Sequence, residues 1–156
     1  MSIESKVLGQ QVAYPTDYCP SILVPVPRSL NRKIYDIHTP EELFLGFDTW
    51  HAYEAGFLAR NGLPVCGVLK LVYPANSPCI VESKSLKLYL NSLNMTRLGE
   101  DTPSGVETYL QIVKSDLEQI LQTRVEATFF RQAPEKPYFD FQDYTLLEAT
   151  PGIERE

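Results

Sequence analysis

Two stretches in the middle of the chain alternate between apolar and polar positions. The first runs from Phe47 to Ala59 and is rich in aromatic residues, and the second runs from Leu63 to Tyr73. Asn61-Gly62 lies between them and supplies two residues that tolerate the positive φ angles of a tight turn. The pattern therefore predicts a β-hairpin.

Further along the chain the apolar residues change to helical spacing. Ile80 and Val81 end a short apolar strand. Leu86, Leu90 and Leu93 then recur at intervals that place them on one face of a helix. We therefore expect a strand that passes directly into a helix.

A second helix is indicated by Ser104-x-x-Glu107, the spacing of a capping box, directly after Pro103. We expect Ser104 to be the N-cap. The apolar positions that follow fit one helix face: Val106, Tyr109, Leu110, Val113, Leu117, Ile120 and Leu121.

The remaining segments predict further strands. Arg124 to Arg131 alternates, with Val125, Ala127 and Phe129 on one side, and Tyr138 to Leu147 could supply a final strand. A hairpin, two helices and one or two strands, without βαβ units, predict an α+β domain whose antiparallel sheet carries both helices on one face. The other face and the sheet edges would then be covered by a partner subunit, so we expect an oligomer.

The amino-terminal part differs in composition. Prolines recur from Pro15 to Pro40 and disfavour a long helix or a central strand there, whereas Leu23 and its neighbours are too apolar for a free linker. We predict an extended Pro-rich arm over residues 1–40, a folded module over residues 41–135, and a final strand with an acidic tail over residues 136–156.

Composition limits the classes of function. The chain has 156 residues, 44% hydrophobic and 22% charged, which is typical of one folded domain. A net charge of -6 repels phosphate backbones, so direct nucleic-acid binding is not expected. No segment approaches the roughly 18 consecutive apolar residues of a membrane span, and the first residues lack a signal-peptide pattern. We expect a cytoplasmic protein without membrane contact.

The cysteines favour no disulfide or metal framework. Cys19, Cys66 and Cys79 show no C-x-x-C spacing, and the chain has only two histidines. We therefore expect free thiols and no bound metal. Cys66 lies in an apolar strand, where burial as a small hydrophobic residue is the expectation.

The residues at the start of the first helix carry the candidate chemistry. A carboxylate at a strand end, here Glu82, can accept two parallel hydrogen bonds from a guanine-like edge. Helix-start N–H groups, hydroxyls and ammonium groups could cradle a phosphorylated cofactor. The side chains concerned are Ser83, Ser85, Lys84 and Lys87. The same run is typical of ordinary helix capping, and the pattern alone does not separate the two interpretations.

The run Glu82-Ser-Lys-Ser-Leu-Lys-Leu-Tyr-Leu-Asn-Ser-Leu-Asn resembles the signature of the NADPH-dependent 7-cyano-7-deazaguanine reductases (QueF) of queuosine biosynthesis. Val26-Pro-Arg-Ser-Leu-Asn-Arg32 and Gly62-Leu-Pro are similar to the amino-terminal module of the long, two-module form. The likeness extends from about Gly9 to the end of the second helix. It implies a tunnelling fold (T-fold), in which two such modules pair edge to edge.

The resemblance also implies roles for single residues. Val81, Glu82 and Ser83 would contact the 7-deazaguanine base, with Glu82 as the anchor. Ser83 and Lys84 would contact NADPH.

The catalytic groups of the family are not matched. Its cysteine attacks the nitrile to give a thioimide, and an aspartate seven positions later handles the proton. These positions hold Leu58 and Val65 here, which can do neither. A His-Glu pair of single-module members is replaced by Glu100-Asp101. The resemblance therefore implies no catalytic residue in this chain.

Three hypotheses follow. The chain is half of a nitrile reductase that forms 7-aminomethyl-7-deazaguanine, with the base anchor and part of the NADPH site here and the cysteine in a second module or subunit. Alternatively, it is a non-catalytic T-fold protein that binds a deazapurine or acts as a scaffold. In the third, the chain is a self-sufficient enzyme in which Cys66 or Cys79 is a relocated nucleophile for hydrolase or transferase chemistry on a related pterin or deazapurine. This requires a thiol of lowered pKa.

Overall fold

The computed structural model describes residues 15–38 and 44–132, and the structural statements below concern these residues. A 3-10 turn at Pro20–Ile22 comes first. The helices are α1 (Arg28–Ile34), α2 (Ser83–Ser92) and α3 (Thr102–Leu121). The strands are β1 (Pro25–Pro27), β2 (Phe47–Leu58), β3 (Pro64–Pro74), β4 (Cys79–Val81) and β5 (Glu126–Phe130).

The strands form two antiparallel sheets. β3 lies between β2 and β5 in a three-stranded sheet, and β1 pairs with β4 in a two-stranded one. The α+β class and the antiparallel pairing are thus confirmed. The β1–β4 pair was not predicted, because three residues with two prolines give no recognisable strand pattern.

The core lies on one face of the three-stranded sheet. Successive side chains of a strand point to opposite faces, and in β3 the odd-numbered Val65, Leu69, Leu71 and Tyr73 are all 3% exposed or less. The apolar faces of both long helices join this cluster, as predicted. They contribute Leu86, Leu90, Leu93, Tyr109, Val113, Leu117 and Leu121.

Cys66 corrects one expectation. It is exposed rather than buried, because it occupies an even-numbered position of β3 and so lies on the face opposite the core. All three cysteines are free thiols, as predicted.

The predicted hairpin is confirmed, but its turn is different. The Ala59 N–H donates to the Leu63 carbonyl at 2.8 Å, and the Gly62 N–H donates to the Ala59 carbonyl at 2.8 Å. The loop therefore has three residues, and only Gly62, with φ +87°, has a positive φ. Asn61 instead uses its side-chain oxygen to accept from the Leu63 N–H at 3.0 Å, a local bond typical of asparagine in turns.

β2 contains a bulge. Its register with β3 shifts between Ala52 and Ala55, so that Tyr53 and Glu54 together lie opposite the single residue Val68. The bulge breaks the alternation of β2 and leaves Tyr53 76% exposed.

α3 begins three residues earlier than expected. Its N-cap is Asp101, whose carboxylate accepts from the Ser104 N–H at 2.9 Å, while the Ser104 hydroxyl accepts from the Asp101 N–H at 3.1 Å. Ser104 is therefore the third helical residue of the capping box and not its cap. Pro103 fits the first turn, where no N–H is needed.

The arm packs on the core, with Leu23 buried, but it is not extended throughout. Arg28–Ile34 is helical, since no proline occurs between Arg28 and Ile37 and Pro27 is tolerated just before a helix. The Arg28 guanidinium donates to the Ser77 carbonyl at 3.0 Å and forms an ion pair with Asp48.

Some predictions lie outside the described residues. These are the first part of the arm, the Tyr138–Leu147 strand and the acidic tail. Within the described part, no helix is long and apolar enough to span a membrane. The same residues contain no group of three or more His, Cys, Asp or Glu side chains placed to hold a metal ion.

Candidate functional site

The carboxylate of Glu82 caps α2. Oε1 accepts from the Lys84 N–H at 2.9 Å, and Oε2 accepts from the Ser85 N–H at 2.7 Å. Glutamate is not among the preferred N-cap residues, which are Asn, Asp, Ser and Thr. Its longer side chain nevertheless places a negative charge at the positive end of the helix dipole. The strand-to-helix junction is thus confirmed, with Glu82 held by two first-turn N–H groups.

This geometry removes part of the predicted phosphate cradle. The N–H groups of Lys84 and Ser85 are already bonded to Glu82. The Ser85 side chain is 4% exposed, and its hydroxyl donates to the Glu82 carbonyl at 2.8 Å. The Lys84 and Ser85 N–H groups and the Ser85 hydroxyl therefore do not face a phosphate, contrary to that part of the expectation.

The other predicted contacts remain accessible. Ser83 and Lys84 are exposed at the start of α2. Lys87 lies one turn further and its Nζ is 3.0 Å from Oε1 of Glu54, a residue of the β2 bulge. A phosphorylated ligand at this helix end would therefore meet these side chains and not the N–H groups of Lys84 and Ser85.

Val81 differs from its neighbours because its side chain is only 2% exposed and belongs to the core. Its N–H donates to the Tyr73 hydroxyl at 3.4 Å, and the same oxygen accepts from Nε1 of Trp50 at 2.8 Å. Burial raises the pKa of Tyr73, so this hydroxyl stays protonated. Any ligand contact of Val81 would have to use its backbone.

A cleft of about 220 Å³ lies between β2 and the beginning of α2. Ser83 and Lys87 form one wall, and the bulge residues Tyr53 and Glu54 lie opposite. The remaining lining residues are Trp50, His51, Ala52, Leu86 and Leu90. Sequence reasoning missed this cleft, and the only signal for it was the interrupted alternation at Tyr53-Glu54.

The positions of the family's nucleophile and acid are structural in this chain. Leu58 pairs with Pro64, and its N–H donates to the Thr96 carbonyl at 2.9 Å. Val65 pairs with Phe57 and is 3% exposed. The two positions are close across the hairpin, and both are apolar, with Val65 buried and Leu58 half-buried.

The Glu100-Asp101 pair is also structural. Glu100 forms an ion pair with Arg60 at the hairpin loop, and Asp101 caps α3. Neither carboxylate is engaged at the beginning of α2.

Comparisons with known proteins agree on one family. Residues 14–129 match the family described as nitrile reductase, 7-cyano-7-deazaguanine-reductase N-term. Proteins named NADPH-dependent 7-cyano-7-deazaguanine reductase are similar to the chain. That of Acinetobacter baumannii is 40% identical over 131 residues, which is 84% of this chain and 46% of that protein. That of Legionella pneumophila (strain Corby) is 36% identical over 146 residues, 94% of this chain and 47% of that protein. The chain thus spans about half the length of the curated relatives it matches.

Proposed function

The chain belongs to the amino-terminal family of the 7-cyano-7-deazaguanine nitrile reductases, and on this basis we propose that it is the binding half of such an enzyme. The whole enzyme would convert 7-cyano-7-deazaguanine to 7-aminomethyl-7-deazaguanine with NADPH, a step of queuosine biosynthesis and hence of tRNA modification. The antiparallel sheet with two helices on one face supports a T-fold module. A second T-fold module or subunit would supply the catalytic cysteine.

The observation that carries the proposal is the orientation of the Glu82 carboxylate. An ionised carboxylate has about four lone-pair sites, of which the Lys84 and Ser85 N–H groups occupy two. The Ser83 hydroxyl also donates to Oε1, at 3.5 Å, a long bond that an exposed hydroxyl can give up by rotating. The two sites not taken by backbone N–H groups can then accept the ring N–H and the exocyclic amine of a guanine-like edge. Capping and base anchoring are thus compatible, because the capping bonds hold the carboxylate in place before a ligand arrives.

The exposed start of α2 also fits NADPH. Ser83 lies beside the anchor and lines the cleft, and Lys84 offers a positive charge from the same turn. When bound, NADPH would supply the hydride for reduction. The contribution of this chain is to hold the cofactor through the Ser83 hydroxyl and the Lys84 ammonium group, since the N–H groups of Lys84 and Ser85 are bonded to Glu82.

The apolar residues at the end of the hairpin support the proposal that the catalytic nucleophile lies in another module or subunit. Leu58 and Val65 can neither attack a nitrile nor transfer a proton. The same feature fits the alternative, a T-fold protein that binds a deazapurine or acts as a scaffold without reducing it. The relatives, about twice as long as this chain, favour the half-enzyme.

A titration of the 156-residue chain with 7-cyano-7-deazaguanine tests the proposal. We expect saturable binding in calorimetry and a loss of at least about 100-fold in Glu82→Ala, because two hydrogen bonds to a charged group disappear. Asp101→Ala is the matched control, since it removes the acidic cap of α3. Unchanged affinity in Glu82→Ala would contradict the site.

Activity separates the hypotheses. We expect no consumption of NADPH by the chain alone. Consumption that disappears in Cys66→Ala or Cys79→Ala would favour the relocated nucleophile. If a cysteine-bearing second module restores consumption, the chain is half of an enzyme. If base binding persists without restoration, the scaffold alternative is favoured.

A further inference from the structure

The same hydrogen-bond pattern joins the arm to α2 at two places. Ser85 and Ser92 are seven residues apart, lie on one helix face and are 4% and 1% exposed. Each hydroxyl donates to the carbonyl three residues earlier, at 2.8 and 2.6 Å. Each also accepts from an arm N–H at 3.1 Å, that of Val24 for Ser85 and that of Cys19 for Ser92.

Only one of the two contacts includes the acidic N-cap. The Ser85 hydroxyl donates to the Glu82 carbonyl, and the Glu82 N–H donates to the Val24 carbonyl at 3.0 Å. Val24 is thus bonded to Ser85 through its N–H and to Glu82 through its carbonyl. The three residues form a closed ring of hydrogen bonds that fixes the peptide groups on both sides of Glu82.

We infer that Val24 and Ser85 are positioning residues for the Glu82 carboxylate, so that the arm is part of the base site as well as a cover for the core. This inference rests on the proposed function of Glu82. The ring fixes the backbone from which the Glu82 side chain extends and the residue, Ser85, whose N–H holds Oε2. An anchor that must meet two donors tolerates little displacement. The arm therefore sets the affinity for the base without touching it.

Ser85→Ala tests this role, and Ser92→Ala is its matched control. Each substitution removes one buried hydroxyl with the same two bonds and leaves one arm N–H without that acceptor, so both should lower stability to a similar extent in urea unfolding. We expect the affinity for 7-cyano-7-deazaguanine to fall about tenfold in Ser85→Ala and less than about twofold in Ser92→Ala. Amide hydrogen exchange at Glu82 should accelerate only in Ser85→Ala.

The outcomes separate this inference from the proposed function. Wild-type affinity for the base in Ser85→Ala would overturn the inference. An equal loss of base affinity in Ser85→Ala and Ser92→Ala would also overturn it, because the arm would then act through stability alone. If the wild-type chain binds no base, the proposed function fails. Amide exchange then tests by itself whether Ser85 and Val24 hold the Glu82 backbone. Equal protection of the Glu82 N–H in the two variants would show that they do not.

Discussion

α2 and α3 both begin on an acidic N-cap, and the two caps differ in their surroundings. Asp101 caps α3 in a capping box with Ser104, the arrangement expected of a preferred N-cap residue. Glu82 caps α2 with a side chain one methylene longer. Both carboxylates accept from first-turn N–H groups, so the local helix chemistry is the same.

The start of α3 is closed by packing. A Cβ atom at Gly105 would lie 2.5 Å from Cε2 of Phe57 and 2.8 Å from the Leu98 carbonyl oxygen, so backbone and ring leave no space there. The start of α2 instead has a cleft at Ser83 and the arm at Val24. The comparison teaches that a cap alone does not indicate a binding site. Glu82 differs from Asp101 because it is not a preferred N-cap residue and because the next residue, Ser83, lines a cleft.

The largest effect is expected where α3 is packed most tightly. Gly105→Ala should lower the free energy of unfolding by about 2 to 3 kcal/mol, because the added methyl group overlaps Phe57 and cannot be accommodated without a shift of the helix. Urea denaturation measures the loss. Ser115→Ala, on the exposed side of the same helix, is the control and should change stability by less than about 0.5 kcal/mol. Near-wild-type stability of Gly105→Ala would mean that the start of α3 has free space.

A swap of the two cap residues gives the next largest effect. Glu82→Asp keeps an acidic and better N-cap residue but withdraws the carboxylate by one methylene. We expect unchanged or higher stability and a loss of about tenfold in base affinity, because the anchor no longer reaches both donors.

Asp101→Glu is the reciprocal variant of this swap. It should lower stability slightly and leave base affinity unchanged. Calorimetric titration and urea unfolding of both variants measure the two quantities. Equal base affinity in Glu82→Asp and the wild-type chain would show that side-chain length at the cap has no role in binding.

Sequence patterns predicted those features that depend on regular spacing. The hairpin, the apolar faces of α2 and α3 and the strand β5 follow from alternation and helical periodicity, and all are confirmed. The start of α3 was misplaced because Ser104 is a preferred N-cap residue by type but occupies the third helical position here. Only the coordinates show that Asp101 accepts from it.

The strand-to-helix junction at Glu82 was predictable from the sequence, but its hydrogen bonds were not. The run that begins at Glu82 indicated the observed start of α2. The family that this run resembles is the one that the comparisons show for the chain. Spacing could not reveal that the Ser85 hydroxyl is bonded to Val24, because 61 residues separate the two in sequence. The bulge at Tyr53-Glu54 was missed for a related reason, since a register shift depends on the partner strand and not on β2 alone.

The smallest expected effect concerns the pH dependence of the exposed cap. The hydrogen bonds from the Ser104 hydroxyl and N–H lower the pKa of Asp101 below its usual value. The pKa is about 3.9 in the unfolded chain, so the stabilising contribution of the charge is fully present above about pH 4 and is lost as the pH falls through the lower folded value.

Asp101→Asn keeps a capping oxygen that does not titrate. Urea midpoints measured in acid should therefore fall less steeply in Asp101→Asn than in the wild-type chain. Glu107→Gln, on the exposed side of α3, is the control and should follow the wild-type slope. Parallel slopes in all three proteins would show that the charge of Asp101 contributes nothing to the start of α3.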